Sequence, residues 1–195
     1  MSHPKSTYIA SAIDRAYAQS AKGPSRWEGE VGMSTITIEK SVTINRPADQ
    51  VWRFLSDENN LIKWQQNLHS HRTEENRQHQ VRTFGGHRVE THQEAQHDHQ
   101  GRVRSYQGQI NTNAGVQEYE GQHTVVTPAG DSASTVKSRA VWHAEQLSAE
   151  GEQAMEDMAA HAIEGNLMHL KHQLEAPPEV HQLLQQAHPV WEGSS

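Results

Sequence analysis

The chain has 195 residues, no cysteine, 17 Lys and Arg against 24 Asp and Glu, and a formal net charge of -7. Hydrophobic residues make up 33%, and mean hydropathy is -0.88. These values exclude a disulfide framework, a thiolate metal site and a Cys nucleophile; no apolar run nears the roughly 20 residues of a spanning helix, and the acidic balance argues against a nucleic-acid partner. The length suits one domain with tails.

In chain order, residues 1–33 read as a flexible N-terminal leader. Ile9, Ile13, Tyr8 and Tyr17 have helical spacing, but Asp14 interrupts any signal-peptide core, and Gly23, Pro24 and Ser25 break the helix. Lys5, Arg15, Lys22 and Arg26 would also suit a targeting peptide; the simpler expectation is a leader on a cytoplasmic protein whose ordered domain starts near Met33. Residues 34–45 then alternate, with Ile36, Ile38, Val42 and Ile44 on one face, which predicts a half-buried strand. Pro47 opens a short helix carrying Val51, Trp52, Phe54 and Leu55. Residues 58–68, with Leu61, Ile62, Trp64 and Leu68, predict a second amphipathic helix.

From His69 to Glu145 turn signals recur: Gly85 and Gly86, the stretch 97–101, Asn113 to Gly115, and Pro128 to Asp131. The segments 80–84, 88–96, 102–112, 116–127 and 134–145 have strand length, which predicts an antiparallel meander. Gln93 and Gln96 stand where an apolar residue would be expected. Residues 152–175 predict the longest helix, with Met155, Ala159, Ile163, Leu167, Leu170 and Leu174 at spacings of three and four, and Met158 and Ala162 widening the stripe. Pro177 and Pro178 end it, and 176–195 is a tail with at most a helical turn or two around Val180, Leu183 and Leu184. The expected fold class is α+β: a curved antiparallel sheet covered on one face by the long C-terminal helix, with two short helices after the first strand. Small and flexible residues on that helix (Met155, Met158, Ala159, Ala162) would leave a gap against the sheet, a natural small-molecule pocket.

Residues 38–57 (IEKSVTINRPADQVWRFLSD), 61–64 (LIKW), 125–130 (VVTPAG) and 166–175 (NLMHLKHQLE) together resemble the START-like, or SRPBCC, superfamily, in its polyketide cyclase/dehydrase-like branch. The resemblance covers about 34–175 and implies a helix-grip fold enclosing an apolar or amphipathic ligand, lipid- or polyketide-like, between sheet and helix. It implies no cofactor. The sequence departs from the family's pattern at His79, Gln80, Gln93, Gln96, Gln107, Gln109 and His123, on strands usually more aliphatic. Burying an unpaired amide costs about 1–3 kcal/mol, so most of these glutamines must face outward or be hydrogen-bonded.

Expected ligand-binding residues are Trp64, Tyr106, Tyr119, His123, Trp142, Met155, Met158 and Ala162. Trp64 and Trp142 lie where the family's cavities have their mouths, whereas Trp52 belongs to the core. Tyr106, Tyr119 and His123 suit a core wall and a ligand contact equally well; His123 is also the best general acid/base. Two imidazoles two apart, His69 with His71 and His97 with His99, could hold zinc with a carboxylate, but solvated turn histidines explain them more simply, and no metal is assigned. Neither a Gly-x-Ser-x-Gly elbow nor a phosphate loop is present. Three functions are compatible with these features: a binding module for a small hydrophobic or amphipathic molecule, a polyketide cyclase/dehydrase-like enzyme using inward His and Tyr, and a degenerate domain acting through protein contacts. Oligomeric state is not encoded in any feature of the sequence.

Overall fold

A computed structural model describes residues 33–74, 77–84, 87–112, 115–127, 132–145 and 147–177. The leader before Met33, most of the C-terminal tail, and the turns expected at Gly85 and Gly86, at Asn113 and Ala114, and at Pro128 to Asp131 lie outside the described residues.

Strand β1 (Met33–Ile44) is followed by helix α1 (Ala48–Ser56), a 3-10 turn (Glu58–Asn60) and the one-turn helix α2 (Leu61–Trp64). Six strands follow: β2 (Leu68–Glu74), β3 (Arg77–Phe84), β4 (His87–Asp98), β5 (Val103–Thr112), β6 (Gly115–Val126) and β7 (Ser134–Glu145). The long helix α3 (Ala149–Glu175) closes the fold. The seven strands form one sheet in the order β1-β7-β6-β5-β4-β3-β2, with every neighbouring pair antiparallel. The α+β helix-grip fold expected from the sequence is therefore the fold found.

Period two decides which side of β1 is buried: Ile36, Ile38 and Ile44 face inward, while Thr35, Thr37 and Glu39 stay exposed. In α1, Ala48, Val51, Trp52 and Leu55 form the buried face. The helix expected over 58–68 is broken up. Asp57 accepts a hydrogen bond from the Asn59 amide at 3.0 Å and tightens the chain into the 3-10 turn, and Gln65 leaves α2 in an extended conformation. Strand β2 then starts at Leu68. Only Leu68 is buried in it, so this polar edge strand carries no apolar alternation for a sequence reading to find.

Helix α3 begins three residues before the expected 152, because the Ser148 hydroxyl caps it by accepting from the Gly151 amide at 3.2 Å. It is clipped to both ends of β1. At one end the Ser34 hydroxyl donates to Glu152 at 2.5 Å; at the other, Glu175 accepts from the Asn45 amide at 2.6 Å and Lys171 donates to the Thr43 carbonyl at 2.7 Å. The lengths match: eleven strand steps from Ser34 to Asn45 span about 36 Å, and twenty-three helix steps from Glu152 to Glu175 about 35 Å. The helix therefore runs alongside β1, over the inner face of the sheet. Two apolar clusters hold it there. One joins Leu167, Leu170 and Leu174 to Val51, Leu55, Leu61 and Val136; the other joins Met155 and Ala159 to Ile36, Ile38, Ala140 and Trp142. Among the described residues no helix is long and apolar enough to cross a membrane.

Candidate functional site

Inner-face residues change character across the sheet. On β1 and β7 they are Ile36, Ile38, Ile44, Val136, Ala140 and Trp142; on β3 to β5 they include Gln78, Gln80, Arg82, Thr91, Gln93 and Arg104. Between this face and the middle of α3 lies a cavity of about 90 Å³, room for several waters or part of a small organic molecule. Its apolar side is made by Trp142 and Ile110 from the sheet and by Ala159, Ala162, Ile163 and Leu167 from α3. Its polar side is made by Gln65, Asn67, Arg82, Gln93 and Arg104. Trp64, Thr91, Tyr106, Tyr119, His123, Ser138 and Asn166 complete the wall.

Of the residues expected from the sequence, Trp64, Tyr106, Tyr119, His123, Trp142 and Ala162 lie together on this wall. Met155 and Met158 do not. Met155 is buried in the apolar cluster with Ile36 and Ile38, and Met158 packs against that cluster. The gap opens further along α3, over 159–167, where Ala159 and Ala162 present little volume. Trp52 is buried as expected, but its indole N–H reaches His99 Nδ1 at 3.2 Å and its ring meets His97 and His99 edge-on. His97 ends on β4 rather than in the turn, and its Nε2 lies 3.2 Å from Glu58. His69 sits on exposed β2 at 2.5 Å from the Thr83 hydroxyl. Among the described residues no group of three His, Asp or Glu is placed to hold a metal ion.

The unexpected part is a polar network on β3, β4 and β5. Gln96, Gln107 and Gln109 point outward, but Gln78, Gln80 and Gln93 are fully buried. The Gln78 side-chain oxygen accepts from Gln80 at 2.9 Å and from Gln93 at 2.6 Å. Gln93 in turn accepts from the Tyr119 hydroxyl at 3.0 Å. Arg82 donates through Nε to Gln80 at 2.8 Å, through Nη2 to Gln80 at 2.5 Å and Gln65 at 2.6 Å, and through Nη1 to Asn67 at 3.3 Å. Arg104, its side chain 1% exposed, pairs with both oxygens of Glu58 at 3.2 and 3.3 Å and lies 5.5 Å from the centre of the Tyr106 ring. Gln80 and Gln93 thus use both ends of their side-chain amides and the Gln78 oxygen accepts twice, which is the condition under which such residues can replace aliphatic ones. In the sequence the signal was the period-two run Gln78, Gln80, Arg82. It was ambiguous because the alternate face of β3, with His79, Val81 and Thr83, gives no clearer apolar choice.

Electrostatics follow burial. Desolvation, with Arg104 and Arg82 adding repulsion, pushes His123 down to about 3, so its imidazole is neutral. Desolvation pushes the Tyr106 phenol up to about 12 and raises Tyr119 as well. His123 meets Trp64 edge-on at 5.3 Å between ring centres, and the Tyr106 ring lies tilted to it at 5.4 Å. Trp64 Nε1, His123 Nδ1 and Ser138 Oγ are buried on the cavity wall and find no hydrogen-bond partner within the protein. The site therefore presents polar groups with unused hydrogen-bonding capacity beside an apolar wall.

Comparison with known proteins agrees with this architecture. Residues 35–175 match the family described as polyketide cyclase / dehydrase and lipid transport. No curated protein matches the sequence. Among solved structures, an aromatase/cyclase from a Streptomyces species superposes with a TM-score of 0.60 at 13% identity, over 73% of this chain and 98% of that one. A START superfamily protein from Mycobacterium smegmatis gives a TM-score of 0.56 at 11% identity, over 71% and 97%. Truncated norcoclaurine synthase from Thalictrum flavum gives 0.55 at 16% identity, over 76% and 99%. At these identities the structures speak for the fold, while the family match spans most of the chain: the protein belongs to the polyketide cyclase / dehydrase and lipid transport family.

Proposed function

We propose that the protein binds a small amphipathic molecule, lipid- or polyketide-like, in the cavity between the sheet and α3, with 34–175 as the binding unit and the cytoplasm as its place of action. The observation that carries this reading is the graded wall: Trp142, Ile110, Ala162 and Ile163 on one side, Arg82, Gln93 and Gln65 on the other. Such a wall suits a ligand with an apolar body and a polar end. Trp64, Tyr106, Tyr119, His123, Trp142 and Ala162 are its contacts in this proposal; Met155 and Met158 support the helix instead.

A cyclase/dehydrase-like reaction would need His123 or a tyrosine to move a proton. General acid–base catalysis is most efficient when the group's pKa lies near the working pH. His123 held at about 3 is a weak base, and Tyr106 at about 12 is a weak acid. Binding is therefore the reading that the wall's chemistry supports best. Native mass spectrometry and thermal-shift measurements with lipids and polyketide-like aromatics test it. The expected result is one ligand per chain with a raised melting temperature, and loss of binding in Ala162→Phe, which fills the gap from the helix side. Absence of binding across the panel, or binding that Ala162→Phe leaves intact, would overturn it.

A further inference from the structure

The two arginines of the cavity wall are not equivalent. Arg104 has a carboxylate partner in Glu58. Arg82 has none: its hydrogen-bond partners are the neutral amides of Gln65, Asn67 and Gln80. The ionisable groups that act on it are Tyr119, Tyr106 and Arg104, with no Asp or Glu among them. The described residues lining the cavity include both arginines and no Asp or Glu. A guanidinium stays charged in a protein, so this wall carries an uncompensated positive charge. Removing such a charge from water is costly unless an anion balances it.

The hydrogen-bond inventory points the same way. Of the five N–H groups of Arg82, four are directed at the three amides, which leaves one on Nη1. The amides fix the guanidinium plane at the polar side of the cavity. Trp64 Nε1–H and the Ser138 hydroxyl are further unused donors on the wall, and His123 Nδ1 has no partner in the protein. The two groups here that can only donate, the remaining Arg82 Nη1–H and Trp64 Nε1–H, both require an acceptor on the ligand, and the Ser138 hydroxyl can donate to the same group.

We propose that Arg82 forms an anion subsite, and that the ligand of this cavity is an acidic amphiphile: an apolar chain or ring system ending in a carboxylate seated against the Arg82 guanidinium. This rests on the binding reading above and sharpens it from any amphipathic molecule to an organic acid. The amide cradle of Gln65, Asn67 and Gln80 positions the guanidinium, and Ala162, Ile163 and Trp142 receive the apolar part.

Isothermal titration of the full chain at pH 7 with decanoate and with decan-1-ol separates the two layers. These probes share the tail and differ in the charged end. The subsite predicts that decanoate binds at least about tenfold more tightly, because a charge-assisted hydrogen bond is roughly twice as strong as a neutral one. It also predicts that Arg82→Gln removes this preference, because decanoate loses its charged partner while decan-1-ol keeps a neutral amide to bond to. Equal affinity for the two probes in the unaltered protein overturns the subsite and leaves the cavity reading standing; that comparison needs no variant, so misfolding of Arg82→Gln cannot mask it. A folded Arg82→Gln protein that keeps the full preference for the acid also overturns the subsite. Failure of both probes to bind overturns the subsite and the cavity reading together.

Discussion

Replacing Glu58 by Gln tests whether the polar network is truly desolvated. Glu58 is the carboxylate that faces Arg104, through contacts of 3.2 and 3.3 Å. Arg104 itself is 1% exposed, whereas Glu58 is 23% exposed. Breaking a fully buried pair by removing one partner costs about 3–5 kcal/mol, because a charge remains buried without compensation. Solvent reaches Glu58 in part, so the expected cost of Glu58→Gln is about 2–3 kcal/mol. With a urea m-value of about 2 kcal/mol/M, the unfolding midpoint at pH 7 should fall by about 1 M or slightly more. Arg104→Met introduced into Glu58→Gln should then be nearly neutral or restorative, since it removes the stranded charge. The cycle of single and double variants should therefore show a coupling of at least about 1 kcal/mol. A midpoint shift below about 0.3 M for Glu58→Gln, or strict additivity in the double variant, would refute the description of Arg104 as buried and dependent on Glu58.

Other outcomes follow from individual residues. His123 has a folded-state value of about 3, far below the ordinary 6.5, so protonation favours the unfolded chain. Its stabilisation is complete above pH 6.5 and is lost as pH falls from there toward 3, at up to about 1.4 kcal/mol per pH unit. Urea midpoints measured between pH 7 and pH 4.5 should drop less steeply for His123→Gln than for the unaltered protein; identical slopes would show that His123 is not held neutral. Gly121→Ala places a Cβ 2.5 Å from the Tyr106 ring and 2.7 Å from the Arg139 carbonyl oxygen, and the carbonyl belongs to the neighbouring strand. It should cost about 1–3 kcal/mol in thermal or urea unfolding, and a neutral result would mean that Tyr106 does not lie over Gly121. Leu170, fully buried on the inner side of α3, should cost about 2–5 kcal/mol on truncation to Ala. Met158→Leu should leave ligand affinity within about twofold, because a volume-conserving change off the cavity wall repacks easily.

The apolar half of the molecule was legible from the sequence because period two and period 3.6 are strong where one face is buried. The isoleucines of β1 and the Leu167, Leu170 and Leu174 stripe of α3 placed the strand, the helix and their mutual packing. The helix stripe also marked Ala162, while Trp64 and Trp142 were placed near it by the family resemblance rather than by periodicity. What was hidden is polar. Strand β2 is an edge with one buried side chain, and no periodicity marks it. Gln80 and Gln93 read as either outward-facing or hydrogen-bonded, and nothing along the chain marked Gln78, Arg82 or Arg104 as inward-facing. They are tolerated inside because each answers another across β3, β4 and β5, a relation fixed by strand register rather than by spacing along the chain. The methionines misled for the opposite reason: flexible side chains suggest a gap, but Met155 and Met158 fill theirs, and the opening lies one to two turns further along α3.

The central claim is that a ligand sits behind α3, and the indole N–H signals of the tryptophans test it most directly. Trp64 and Trp142 line the cavity, whereas Trp52 is engaged with His99 outside it. In a ¹H–¹⁵N spectrum, assigned by single Trp→Phe variants and titrated with decanoate, the Trp64 and Trp142 indole signals should move in a saturable way while that of Trp52 stays in place. Movement of Trp52 with Trp64 and Trp142 unmoved would contradict the account.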